Sequence, residues 1–201
     1  MLAPVTAPLP AFTAVLFGLS GCLVDFGAQA SKKLVSSDQG QATAGALQVL
    51  QSLSRQGVPC AWLDELPETV SELLARSLTS LIVPAPKAST PWPAPNACWQ
   101  ALMALGVNQL DGSVLVSGEP KLLQAGLNAG LWTVGLASCG SLCGLSHAQW
   151  QALSNAEREY RRGQATLQLY ALGVHSVIDH LGEFESCLAD IALRRSKGEK
   201  P

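Results

Sequence analysis

Several residues have side chains that could do chemistry. Cys139 and Cys143 form a CxxxC pair inside Ser-Cys-Gly-Ser-Leu-Cys-Gly. Two close thiols can bind a soft metal or form a redox couple, but a zinc site needs further Cys or His ligands, and no second pair lies near in sequence. Leu19-Ser20-Gly21-Cys22 follows an apolar stretch and spells a lipobox, which would make Cys22 a lipid-modified residue. An export signal starts with positive charge. Here the first Lys or Arg is Lys32, and Pro4, Pro8 and Pro10 crowd the beginning. We therefore read a buried strand followed by a glycine turn, and keep the lipidated envelope protein as an alternative. Asp64, Glu65 and Glu68 cluster in one segment and Glu119 stands in another. They would make an acidic site if brought together, and otherwise complement helix dipoles. His147, His175 and His180 are scattered, with His175 inside an apolar pattern that predicts packing.

The elements that must position these residues alternate between strand and helix. Short apolar runs predict strands at Phe12–Phe17, Val58–Leu63, Leu81–Val83, Ser113–Ser117, Leu131–Leu136 and Val174–Ile178. Helices are expected over Gln41–Gln56, from Pro67 through Leu78, over Ala97–Leu105, Pro120–Ala129 and Leu181–Leu193. Ser146 with Gln149, and Ser154 with Glu157, fit capping boxes that open two successive helices, the second running to Leu172. Pro84 to Pro95 carries five prolines and reads as a rigid loop. Such β-then-α units imply a mostly parallel sheet with helices on both faces, a Rossmann-like α/β fold. In that fold the site lies beyond the carboxyl ends of the strands. The chain reads as one domain over 1–201, structured from 11 to 193.

At 48% hydrophobic and 14% charged residues, the 201-residue chain is apolar, as strands buried on both faces require. No apolar run reaches the length of a membrane span. A net charge of −2 without a basic block argues against nucleic acid as a partner. Six cysteines in a chain of this length do not suggest a disulfide framework. The expected location is the cytoplasm.

Ala125-Gly-Leu-Asn-Ala-Gly-Leu-Trp-Thr-Val-Gly135, Gly144-Leu-Ser146, Val24-Asp-Phe-Gly27 and Gly173-Val-His-Ser-Val-Ile-Asp179 together resemble the phosphonoacetaldehyde hydrolases of the haloacid-dehalogenase superfamily. The resemblance extends from about Ala11 to Ala192. It implies a Rossmann-like core and hydrolysis of a carbon–phosphorus bond. It also implies an Asp nucleophile after the first strand, Mg²⁺ held by carboxylates, a hydroxyl and a basic group for phosphate, and a Schiff-base lysine from a helical cap. Phosphoryl transfer rests on such positioning and charge neutralisation.

This chain departs from the pattern at every one of those positions. Gly18 stands at the nucleophile, Ser20 two residues on, and Cys22 after Gly21. Leu63, next to Asp64, stands at the phosphate hydroxyl, and Trp92 at the basic position. Gly118 and Leu122 stand at the two acidic metal positions. The cap is reduced to a remnant at 28–40, where Lys32 and Lys33 read as solvated charges. The inherited Mg²⁺ site is expected to be lost, with no cofactor and no catalytic residue in its place. If Trp62, Trp92 and Trp99 wall off the old pocket, it is filled. The expectation is a pseudoenzyme that binds a protein partner or small ligand. The alternative is a hydrolase with altered chemistry through Ser20, Cys22 or the Asp64 and Glu119 carboxylates.

Overall fold

The computed structural model describes residues 11–30 and 38–201. Six parallel strands form one sheet in the order β3-β2-β1-β4-β5-β6. They are β1 (Ala14–Gly18), β2 (Cys60–Leu63), β3 (Val83–Pro84), β4 (Ser113–Ser117), β5 (Trp132–Leu136) and β6 (Ser176–Ile178). The helices are α1 (Ala46–Arg55), α2 (Glu68–Ala75), α3 (Asn96–Ala104), α4 (Pro120–Asn128), α5 (His147–Ala152), α6 (Asn155–Leu172) and α7 (Phe184–Ser196). β1 and β4 are buried along their whole length, which is why Ala14–Phe17 and Val114–Val116 are unbroken apolar runs rather than alternating ones.

Side-chain parity divides the core. Val15, Phe17, Trp62, Val114, Val116 and Trp132 face α1, α2 and α7. Ala14, Leu16, Ala61, Leu63 and Leu115 face α3 and α4. Leu123 of α4 meets Ala165 and Leu169 of α6 in a third cluster that continues this second layer. The strand order reverses beside β1, between β2 and β4, so the loops leaving those three strands form the crevice where ligands bind in such folds.

Both capping boxes are present. Ser146 Oγ accepts from Gln149 N and Ser154 Oγ accepts from Glu157 N, each at 3.3 Å, and the Gln and Glu side chains return to the cap N–H. Several element boundaries differ from those read in the sequence, and three of the differences have a visible cause. The helix expected from Gln41 begins at Ala46, because Gly45 takes φ 86° and its Cα packs on the backbone of Leu181 and Gly182. A Cβ at Gly45 would stand 2.1 Å from Gly182 N, so only glycine fits. The third strand is displaced to Val83–Pro84, since Leu81 N and Ile82 N donate back to Leu78 O in a turn closing the helix region before it. The last helix is preceded by a separate 3-10 turn over Leu181–Glu183 and runs on to Ser196, three residues past the expected end of structure. Lys32 and Lys33 lie outside the described residues.

Candidate functional site

The loop after β1 is tied down by a buried carboxylate. Asp25 is fully buried, and it accepts from Ser20 Oγ (2.6 Å), Gln29 N (3.1 Å) and Ala30 N (2.8 Å). Three donors on one carboxylate fix the loop in place, so Asp25 caps this turn. After β2, Asp64 Oδ1 accepts from Leu66 N at 2.8 Å and from Lys87 Nζ at 3.3 Å. Glu65 Oε1 accepts from Trp92 N at 2.6 Å, and this holds the proline-rich loop over the strand ends. After β4, Ser117 Oγ accepts from Glu119 N at 3.0 Å, and the Glu119 carboxylate caps α4 by accepting from Lys121 N at 3.3 Å.

These loops enclose a cavity of about 290 Å³ lined by Gly18, Leu19, Ser20, Leu63, Asp64, Glu65, Leu66, Trp92, Ser117, Glu119, Lys121 and Leu122. Six of the eight positions singled out in the sequence therefore converge: Gly18, Ser20, Leu63, Asp64, Trp92 and Leu122. Cys22 and Gly118 do not. Cys22 is fully buried, with its Sγ 3.5 Å from Val116 O, and burial together with neighbouring Cys139 raises its thiol well above the usual range. It lines no part of the cavity, so it is no nucleophile there. Gly118 is pressed against other backbone: a Cβ on it would lie 2.3 Å from Gly140 Cα and 2.4 Å from Gly21 O.

The tryptophans need correction. Trp62 is 7% exposed on the opposite face of the sheet, among the side chains of α1 and α2. Trp99 is an exposed residue of α3 whose Nε1 donates to Ala129 O at 3.3 Å. Only Trp92 reaches the cavity, and the space is open rather than filled. β2 parity carried the signal for Trp62, since it pairs with Phe17 while Leu63 pairs with Gly18.

Magnesium takes hard oxygen ligands, mostly carboxylates. At the strand ends the side chains nearest Gly18 are Ser117 and Leu122, and each of the cavity's carboxylates has one oxygen engaged in holding a loop or capping α4. A glycine, a serine and a leucine side by side offer that ion no carboxylate. Among the described residues no three His, Cys, Asp or Glu side chains converge as a metal site. Cys139 and Cys143 are free thiols, both buried, and burial pushes Cys139 up to about 12. His175 packs against Trp132 with ring centroids 4.9 Å apart, as expected, and its Nδ1 accepts from Thr133 N at 3.0 Å.

A second cavity, of about 360 Å³, lies toward β6 and includes His147, Trp150, Arg158, Arg162, Asp179 and His180. Sequence reasoning missed it, although Arg158 and Arg162 stand one helical turn apart on α6. Its other walls come from residues distant in sequence. Its walls also include Phe26, Thr43 and Ala44 of the β1–α1 connection and Ser138 and Cys139 after β5, but none of the eight positions singled out in the sequence, so the cavity beside Gly18 remains the candidate site.

No family model matches the chain. The phosphonoacetaldehyde hydrolase of Salmonella enteritidis PT4 is 30% identical over 165 residues, covering 79% of this chain and 61% of that protein. The phosphonoacetaldehyde hydrolase of Klebsiella pneumoniae is 38% identical over 109 residues, covering 54% of this chain and 40% of that protein. The chain thus spans about half the length of the curated relatives it matches. One solved structure, 67% identical, superposes with TM-score 0.93 over 95% of this chain and 100% of its own. The phosphonoacetaldehyde hydrolase like protein from Oleispira antarctica shares the fold at TM-score 0.84 with 21% identity, each chain fully covered. A six-stranded parallel sheet in this order, the Asn-Ala-Gly-Leu-Trp-Thr-Val-Gly string on α4 and β5, and these likenesses make the chain a phosphonoacetaldehyde-hydrolase-like relative in the haloacid-dehalogenase superfamily.

Proposed function

We propose that this phosphonatase-like protein is a non-catalytic binding or regulatory module of the cytoplasm, acting on a small ligand or protein partner without Mg²⁺ or turnover. The observation that carries the reading is the occupation of the old catalytic positions by the fold itself. Beside Gly18, a Cβ would stand 2.6 Å from Ser117 Oγ, and at Gly118 it would enter backbone. A covalent step needs an activated nucleophile, and neither position can present one. Only the Leu19–Gly45 segment joins β1 to α1, too little chain for a helical cap domain of the kind the relatives' chemistry implies.

Altered chemistry at Ser20 is favoured by one observation, its 2.6 Å bond to Asp25 in the cavity wall. Asp25 already accepts two backbone N–H groups, however, so both its oxygens are taken up in holding the loop. The lipidated alternative would require cleavage before Cys22. That cleavage would remove β1, which pairs with both β2 and β4. No helix among the described residues is long and apolar enough to cross a membrane.

Calorimetric titration with Mg²⁺, beside a panel of phosphate-ester hydrolysis assays, tests the reading. The expected result is no saturable Mg²⁺ heat at millimolar concentration and hydrolysis at the protein-free rate. Mg²⁺-dependent turnover that follows the protein through purification and disappears in Ser20→Ala would reject it.

A further inference from the structure

The second cavity, of about 360 Å³, has a lining that the family resemblance does not explain. Arg158 and Arg162 stand one helical turn apart on α6, and both reach its wall. Like charges at that spacing repel, and a nearby anion relieves them. Arg162 has one: its Nη1 donates to Asp179 Oδ2 at 2.7 Å. Arg158 is partly buried, and no ion pair among the described residues includes it. Its Nε is sealed inside the protein, while its Nη2 donates to Asn155 Oδ1 at 3.0 Å. Asn155 also lines the cavity, so the outer edge of the guanidinium lies at the wall. Glu159, the other lining carboxylate, is exposed and pairs with neither arginine. Arg158 therefore carries the uncompensated charge of this wall.

A second observation is independent of charge. Ser138 is 7% exposed and belongs to the same wall. The unpartnered side-chain atoms sealed from solvent are Asp64 Oδ2, Trp132 Nε1 and Arg158 Nε. Ser138 Oγ is unpartnered among the described residues and is not one of them, so it opens into the cavity that the residue lines. A hydroxyl there can donate to an anionic oxygen. The apolar part of the wall is aromatic. Phe26 lies with its ring centroid 6.0 Å from that of Trp150 and 5.3 Å from that of His147, which makes a flat-sided recess suited to a ring.

We infer that this cavity binds a small aromatic monocarboxylate, its carboxylate taken by Arg158 and Ser138 and its ring lying against Phe26 and Trp150. A guanidinium matches a planar carboxylate through paired N–H donors. One uncompensated charge suits a monoanion better than a phosphoryl dianion. The inference does not depend on whether the cavity beside Gly18 hydrolyses a phosphonate.

The test uses the full chain and follows the Trp150 indole resonance, identified by its loss in Trp150→Phe. The titrants are benzoate, benzylammonium, acetate and inorganic phosphate. Benzoate should shift the resonance saturably at millimolar concentration, and more weakly as salt rises. Benzylammonium has the ring with the wrong charge, acetate the charge without the ring, and phosphate too much charge; all three should leave it unmoved at the same concentration. Arg158→Gln should weaken benzoate binding about tenfold, and Ser138→Ala about threefold. Glu159→Gln, at an exposed position, should strengthen it about twofold and serves if Arg158→Gln does not fold. Benzylammonium or phosphate binding in place of benzoate would overturn the inference. So would acetate binding as tightly as benzoate, or unchanged benzoate affinity in folded Arg158→Gln or, failing that variant, in Glu159→Gln.

Discussion

Returning a side chain to Gly118 should damage the fold rather than restore a site. Gly118 has an ordinary φ, so Gly→Ala in open space would stabilise by about 0.4–1 kcal/mol through the unfolded chain. Space is what is lacking. The new Cβ would stand 2.3 Å from Gly140 Cα and 2.4 Å from Gly21 O, well inside contact distance and against backbone that cannot rotate away. Relief requires moving the loops after β1 and β5 together, and overpacking of this kind costs about 3 kcal/mol, the upper part of its usual range. For a chain of this length that lowers Tm by about 6–12 °C. Gly18→Ala is the control. Its Cβ would meet Ser117 Oγ at 2.6 Å, and that hydroxyl can rotate at the loss of its bond from Glu119 N, a cost of about 1 kcal/mol. Thermal unfolding of both variants at one pH measures the contrast. A Gly118→Ala protein as stable as the parent, or a Gly118→Asp protein that folds and binds Mg²⁺, would refute the reasoning.

Other perturbations give smaller, separable signals. Ser154→Ala removes half of the capping box on the longest helix and should cost about 1 kcal/mol in urea unfolding, with the m-value unchanged. His175 is held below its usual pKa by burial first and by Arg194 second, and its Nδ1 is already an acceptor. The unfolded chain therefore binds more protons, so stability is flat above about pH 6.5 and falls as pH drops toward the folded pKa. His175→Gln should flatten that slope in unfolding curves taken at pH 7.5 and 5.5. Burial raises the thiols of Cys22, Cys60, Cys98, Cys139, Cys143 and Cys187. A disulfide reagent at pH 7.5 should find no fast-reacting thiol in the native protein and six after denaturation.

Local chemistry was the part of the fold most legible in the sequence. The two Ser-x-x-Gln/Glu boxes specify helix starts within a few residues, and the structure realises both. β4 falls on Ser113–Ser117 as read, because a short apolar run bounded by Gly112 and Gly118 leaves little freedom. Boundaries set by tertiary contact were not legible. Gly45 ends the approach to α1 because Gly182, far along the chain, lies against it. The candidate site followed the same division. Positions at or just beyond a strand end, Gly18, Ser20, Leu63 and Asp64, could be placed at one edge by topology alone. Cys22 could not, since the turn that buries it is made by hydrogen bonds from Leu23 N and Val24 N back to Leu19 O. The orphaned Asp64 Oδ2 and the self-capping of α4 by Glu119 depend on side-chain geometry that spacing does not encode.

The central claim is that the strand-end cavity no longer breaks a carbon–phosphorus bond. Removing one preorganised electrostatic donor costs about 10²–10³ in rate, and the positions that the resemblance assigns to the nucleophile and the metal carry Gly18, Gly118 and Leu122. Losses within one catalytic unit do not add, but a single complete loss is sufficient. Phosphorus NMR of phosphonoacetaldehyde incubated with the purified protein and Mg²⁺ reads the bond directly. The account predicts a phosphonate resonance that decays at the protein-free rate with no protein-dependent inorganic phosphate. Phosphate appearing with acetaldehyde in equal amount, at a rate proportional to protein and abolished by chelation, would contradict it.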